Sequence, residues 1–144
     1  MLEMFLIGLA AGMAVAIFLL VVAGLLAVTA LTKKWTALVD RFSIEKRPAV
    51  ERSSKPLRLG YIYFDVRGSM GPGMLPATMS ASESGLSISP WWPIRYLCEP
   101  LFIPWSDFSG ISKERYLLPH LWVSVGDPVV ADLMLPLWVQ RQMP

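Results

Sequence analysis

The chain has 144 residues, 54% of them hydrophobic and only 17% charged, with a formal net charge of +2. That balance is too apolar for an ordinary water-soluble domain. One cysteine excludes an intramolecular disulfide and a thiolate metal cluster within one chain.

Met4 to Leu31 contains no charged residue across 28 positions, whereas about 20 apolar residues suffice for a helix to cross a bilayer core. A secretory signal would open on a basic region and end at a small-residue cleavage site. Here the only early charge is Glu3, so residues 1–32 read as an uncleaved transmembrane anchor. Lys33, Lys34 and Arg41 follow the run and nothing basic precedes it. The bias of Lys and Arg towards cytoplasmic flanks places the N-terminus outside and the remaining chain in the cytoplasm. Gly8, Gly12 and Ala16 are spaced by four and line one helix face, a small-residue stripe that lets a second backbone approach. Small residues are also common in membrane helices generally, so the stripe reads either as a packing face or as ordinary composition.

Residues 33–56 form a basic juxtamembrane segment and linker. Between positions 32 and 58 there are eight basic and three acidic residues, an excess of five, so the rest of the chain is acidic by three. Trp35, Leu38, Val39 and Phe42 recur at i, i+3, i+4 and i+7, the pattern of one apolar helical face. An interfacial helix is expected, with Trp35 at headgroup depth and Lys33, Lys34 and Arg41 near anionic headgroups. Basic flanks also set topology without recognising any lipid. RPAVERSSKP (47–56) reads as an extended linker.

From Leu57 the pattern changes to that of strands. LRLGYIYFDV (57–66) is rich in aromatic and branched residues and is followed by the turn cluster RGSMGPG. Strands are expected at 75–81, 85–89, 100–105, 121–125 and 129–135, the last two joined by a hairpin at Gly126–Asp127–Pro128. Six to seven short strands predict a small mainly-β domain over 57–144, an antiparallel sandwich or partly open barrel. LPLWVQRQ at the end forms at most a short helix.

The stretch GLSISPWWPIRYLCEPLFIPWSDFSGI resembles a pattern of uncharacterised bacterial single-pass membrane proteins and, more loosely, of bacterial pleckstrin-homology-like domains. The matching residues are Gly85 and Leu86, then Pro100, Leu101, Ile103, Pro104, Trp105 and Asp107. The resemblance implies a seven-stranded, partly open barrel used for binding rather than catalysis. The long C-terminal helix that closes one end of such a barrel has little sequence here, so cover from a partner or the membrane is expected.

Leu101, Ile103 and Trp105 share strand parity and are expected in the core. Pro100 and Pro104 cannot donate to a ladder, which places their strand at an edge or bulge. Trp91, Trp92, Ile94 and Tyr96 lie between prolines and predict a loop. Such a loop either meets a protein neighbour, dips into the bilayer interface, or covers a small satellite core.

No arrangement of acid, base and nucleophile can be assembled from the chain. Cys98 reads as a small buried residue, and His120 lies at the entry to a strand without a supporting signature. Asp107, Asp127 and Asp132 lack metal-ligand spacing, and GSMGPG (68–73) lacks the Lys-Ser/Thr and helix of a phosphate loop. The basic excess sits beside the apolar run, so nucleic-acid binding is not expected. The expectation is therefore a noncatalytic accessory subunit of a larger integral membrane complex, respiratory or photosynthetic, in the bacterial inner membrane, without cofactor. The alternative is a membrane-anchored lipid-binding or signalling module using Arg58, Arg67, Arg95 or Arg115 on anionic lipid.

Overall fold

A computed structural model describes residues 1–43, 58–115 and 119–144. The expected linker (47–56) and the expected domain start at Leu57 lie outside them. Two compact units divide between Thr32 and Lys33.

Helix α1 (Leu2–Phe42) runs through that division without a break. From Ile7 to Ala30 its apolar side chains point outward in every direction, Phe18, Leu19, Leu20 and Val21 all being exposed. The helix is long and apolar enough to cross a membrane.

Residues 33–144 form the second unit. Strands β1 (Arg58–Val66), β2 (Gly73–Ala81), β3 (Gly85–Pro90), β4 (Leu101–Pro104), β5 (Phe108–Arg115), β6 (Pro119–Val125) and β7 (Ala131–Pro136) make one antiparallel sheet in the order β4-β3-β2-β1-β7-β6-β5. The two edge strands, β4 and β5, are consecutive in sequence and separated by only three residues, Trp105–Asp107. Laid flat, six strand spacings would part the edges by about 29 Å. Four Cα–Cα steps span about 15 Å at most. The sheet must curl to bring its edges together, and it forms a half-barrel.

Alternation fills the concave side. Ile62, Phe64 and Val66 of β1, Leu75, Ala77 and Met79 of β2, Leu121, Val123 and Val125 of β6, and Leu133 and Leu135 of β7 are buried. The intervening residues of each strand face outward, as a pleat of period two requires. β4 is an edge strand, where Pro104 costs no ladder bond. All of Leu101, Phe102 and Ile103 are buried in it, so both of its faces are covered. Trp105 departs from the expected strand face. The strand stops at Pro104, and Trp105 opens a 3-10 turn where it is half-buried, donates its indole N–H to the Ser82 carbonyl at 2.9 Å and packs on Phe108 at 5.1 Å. It remains a packing residue.

β5 is the strand that periodicity did not point to. Its polar run carries a register shift between Ser109 and Ser112, with Gly110 at φ +58° in the left-handed region that favours glycine.

The cover of the half-barrel comes from the chain itself. β1, β3 and β6 run in one direction, because an even number of antiparallel steps separates each from the others. The β1–β2, β3–β4 and β6–β7 connections therefore leave the sheet at the same end. The last turns of α1 touch all three: Lys34 Nζ donates to the carbonyls of Met70 and Gly71, Trp35 Nε1 to that of Glu99 at 2.7 Å, and Arg41 to that of Asp127 at 3.0 Å. Trp35, Leu38 and Phe42 are buried, and Trp35 meets Phe64 edge-on at 5.4 Å. Ser43 then bridges to Leu101 of β4. So the expected face points into the sheet's core, with Val39 half-buried at its side, and Trp35, 1% exposed, is an interior residue rather than one facing headgroups. Neither a partner nor the bilayer is needed to close this end. The other end receives the C-terminal 3-10 helix Leu137–Gln142, with Val139 buried and Arg58 stacked over the Trp138 ring at 4.9 Å.

Candidate functional site: an exposed aromatic loop and groove

The β3–β4 connection holds its own backbone. Trp91 N–H donates to Pro76 O, Arg95 N–H to Trp91 O, Tyr96 N–H to Pro93 O and Leu97 N–H to Ile94 O, at 2.9 to 3.2 Å, around a 3-10 turn at Ile94–Tyr96. These bonds satisfy the main chain locally and leave the side chains outside. Trp91, Trp92, Tyr96 and Leu97 are 54, 65, 81 and 61% exposed, while Ile94 is half-buried and Cys98 is buried beneath the loop. A satellite core under the loop thus accounts for Ile94 and Cys98 and not for the indoles or Tyr96. Of the four residues expected at a partner contact, three are displayed and Ile94 partly supports them.

The loop walls a groove of about 520 Å³ with the outer face of the sheet. Its floor is the Thr78–Ser89 pair of β2 and β3, and Trp91, Trp92, Arg95 and Tyr96 stand around it. Thr78 Oγ1 is turned to its neighbour, donating to Ser89 O at 3.2 Å. The groove therefore offers aromatic faces, one guanidinium and few free polar groups, a lining suited to apolar or aromatic side chains with one acceptor or anionic group.

The groove continues onto the sheet. Pro76, whose carbonyl accepts the Trp91 N–H, lies opposite Tyr61, and Thr78 lies opposite Leu59. Leu59, Tyr61 and Met74 are exposed on this outer face. Sequence reading of the strands missed them. Their signal is in LRLGYIYFDV, which is apolar at both parities, whereas a strand with one wet face alternates. Both faces of β1 are built for cover, and only the inner one receives it from the described residues.

Chemistry-bearing groups are dispersed. Burial beneath the loop pushes the Cys98 thiol above its ordinary value, so it stays protonated and unreactive at neutral pH. His120 is in β6 opposite Pro136 of β7, whereas Cys98 lies in the β3–β4 connection. Asp132 accepts from Ser124 Oγ and pairs with Arg67 at 3.0 Å, which makes it a structural carboxylate. Among the described residues no three His, Cys, Asp or Glu side chains group to hold a metal.

In the first unit, Gly8, Gly12 and Ala16 are exposed, and a Cβ added at either glycine would meet nothing within 4 Å. The stripe is open to a neighbouring helix. Of the expected interfacial residues Lys33 is exposed, Lys34 and Arg41 bind loop carbonyls, and Trp35 is interior.

No family model matches the chain, and neither a curated protein nor a solved structure matches it.

Proposed function

We propose that this chain is a noncatalytic, single-pass membrane accessory subunit whose anchor helix and β domain dock on a larger integral membrane assembly. The observation that carries the reading is the exposed aromatic loop running into an exposed apolar sheet face: Trp91, Trp92, Tyr96 and Leu97 beside Leu59, Tyr61 and Met74. Contiguous apolar and aromatic surface of this kind marks an interface. The open small-residue stripe at Gly8, Gly12 and Ala16 supplies a second docking face for a transmembrane helix. An energy-transducing complex, respiratory or photosynthetic, in a bacterial inner membrane is the host proposed. Lys33, Lys34 and Arg41 after the apolar run support an N-terminus outside and a cytoplasmic β domain.

The alternative, a lipid-binding or signalling module, is supported by Arg95 at the groove. It is weakened by the dispersal of its other arginines. Arg58 stacks on Trp138 and Arg67 pairs with Asp132, and β1 separates them by about 30 Å at the usual rise per residue. The side chain of Arg115 lies outside the described residues.

The test is purification from the native membrane in mild detergent through a C-terminal tag, followed by mass spectrometry of what remains bound. Recovery in fixed ratio with one integral membrane complex is the expected result. Recovery alone, or only with copies of itself, overturns the reading.

A further inference from the structure

We infer that the β1–β2 hairpin tip, centred on Met70, is a second membrane contact, seated in the headgroup layer of an anionic bilayer beside the end of the anchor. The inference rests on the apolar run crossing the bilayer, and goes beyond it by assigning a lipid-contacting site on the β domain itself.

Three observations meet at the tip. Met70 is 95% exposed at the end of a short connection in which Gly68 and Gly71 take φ of +83° and +67°. Those left-handed positions hold a defined turn, so the Met side chain is displayed by design of the backbone rather than by fraying. The tip is pinned to the chain's entry into the β domain, because Lys34 Nζ donates to the carbonyls of both Met70 and Gly71. Basic groups accompany it: Lys34 is at the carbonyls, Lys33 precedes Lys34 in the chain and is exposed, and Arg67 opens the turn with one carboxylate, Asp132, beside it.

The covalent chain then sets the depth. A 28-residue helix is about 42 Å long, against a hydrocarbon core of about 30 Å. Centred, it leaves about 6 Å at each end, comparable with the headgroup layer. Lys33 and Lys34 then stand at the headgroup–water boundary. Leu31 and Lys34 are three Cα steps apart, about 11 Å at full extension, which holds for any angle of the chain at Thr32. At any such angle the carbonyls bound by Lys34 stay within reach of the end of the anchor. A flexible apolar thioether flanked by cations matches that layer, where the acyl boundary takes the side chain and phosphates take the charges.

The occupant is thus an anionic lipid surface.

The experiment uses the full chain in lipid nanodiscs, whose two faces are both open to reagents. Met70→Cys and, at the opposite end of the sheet, Ser106→Cys are each labelled with an environment-sensitive dye; buried Cys98 stays unlabelled, which the unsubstituted chain verifies. In discs of phosphatidylcholine and phosphatidylglycerol in equal parts, the dye at 70 is expected to be blue-shifted and shielded from dithionite, and the dye at 106 to be reduced like free dye. Adding Lys33→Gln, or omitting phosphatidylglycerol, is expected to lower the ratio of shielded to unshielded dye at 70, about fivefold for the one charge. Equal reduction at 70 and 106 in discs that retain the protein overturns the inference while leaving the membrane span intact. Elution of the protein apart from the discs overturns the span itself. Shielding at 70 that is indifferent to lipid charge and to Lys33 overturns the anionic occupant.

Discussion

The two parts of α1 differ in charge and in where their apolar residues point. Over 7–30 the apolar side chains are exposed all round the helix, with Val22 half-buried, whereas over 33–42 the large ones gather on one face, Trp35, Leu38 and Phe42 at 1% exposed and Val39 half-buried. The first pattern needs an apolar solvent outside the chain, and the second finds its partner in the sheet. A change of pattern within one continuous helix, rather than a break in it, therefore separates anchor from domain.

The widest separation between the two parts comes from removing each. A chain beginning at Lys33 is expected to retain one cooperative unfolding transition, and a chain beginning at Arg58 to lose it, since Trp35, Leu38 and Phe42 go with the deleted turns. Circular dichroism during thermal unfolding reads both. Within the full chain, Trp35→Ala is expected to destabilise the β domain by about 3–5 kcal/mol, the range for emptying a buried aromatic site. Loss of its hydrogen bond to Glu99 O adds to that. Equal unfolding of Trp35→Ala and the unsubstituted chain would contradict the packing described.

The same substitution at two places on one helix sharpens the contrast. Leu38→Ala is expected to cost about 2–5 kcal/mol, while Leu26→Ala, in the exposed apolar run, is expected to leave the β domain's denaturant midpoint unchanged. A shift of that midpoint by Leu26→Ala would join the two parts energetically.

Much of this was legible in sequence. The uncharged run from Met4 to Leu31, the i, i+3, i+7 face after it and the alternation of β2, β6 and β7 each carry their own period. The period of Trp35, Leu38 and Phe42 told that a face would be buried and could not tell against what, because a membrane surface and a β-sheet both take an amphipathic helix. β5 was hidden because its bulge at Gly110 breaks the alternation that marks a strand. The exposed loop was readable from its prolines, while its extension through Leu59, Tyr61 and Met74 depends on which residues the register sets side by side.

Smaller effects test the exposed side of the domain against its interior. With the Cys98 thiol raised by burial, the unfolded chain releases that proton first. Stability is therefore expected to be unaffected by this group below the ordinary thiol range and to fall as pH rises through it. Cys98→Ala should flatten that alkaline limb in denaturant titrations at several pH values; an identical slope would show that another group is responsible. The smallest change in stability is expected for Trp91→Ala and Trp92→Ala, within about 0.5 kcal/mol, in contrast to the interior indole of Trp35. Their effect should appear instead as loss of co-purified membrane subunits. A destabilisation like that of Trp35→Ala would make the loop part of the core.

Hydrogen exchange of the full chain in lipid nanodiscs, followed across a urea series, tests most directly whether one helix serves two environments. The amides of Trp35 to Phe42 are expected to open together with those of β1 and β7, at the same urea concentration, while amides from Ala10 to Val28 stay protected throughout. Retained protection of Trp35 to Phe42 after β1 and β7 have exchanged would contradict the account, because those turns would then belong to the anchor and not to the sheet.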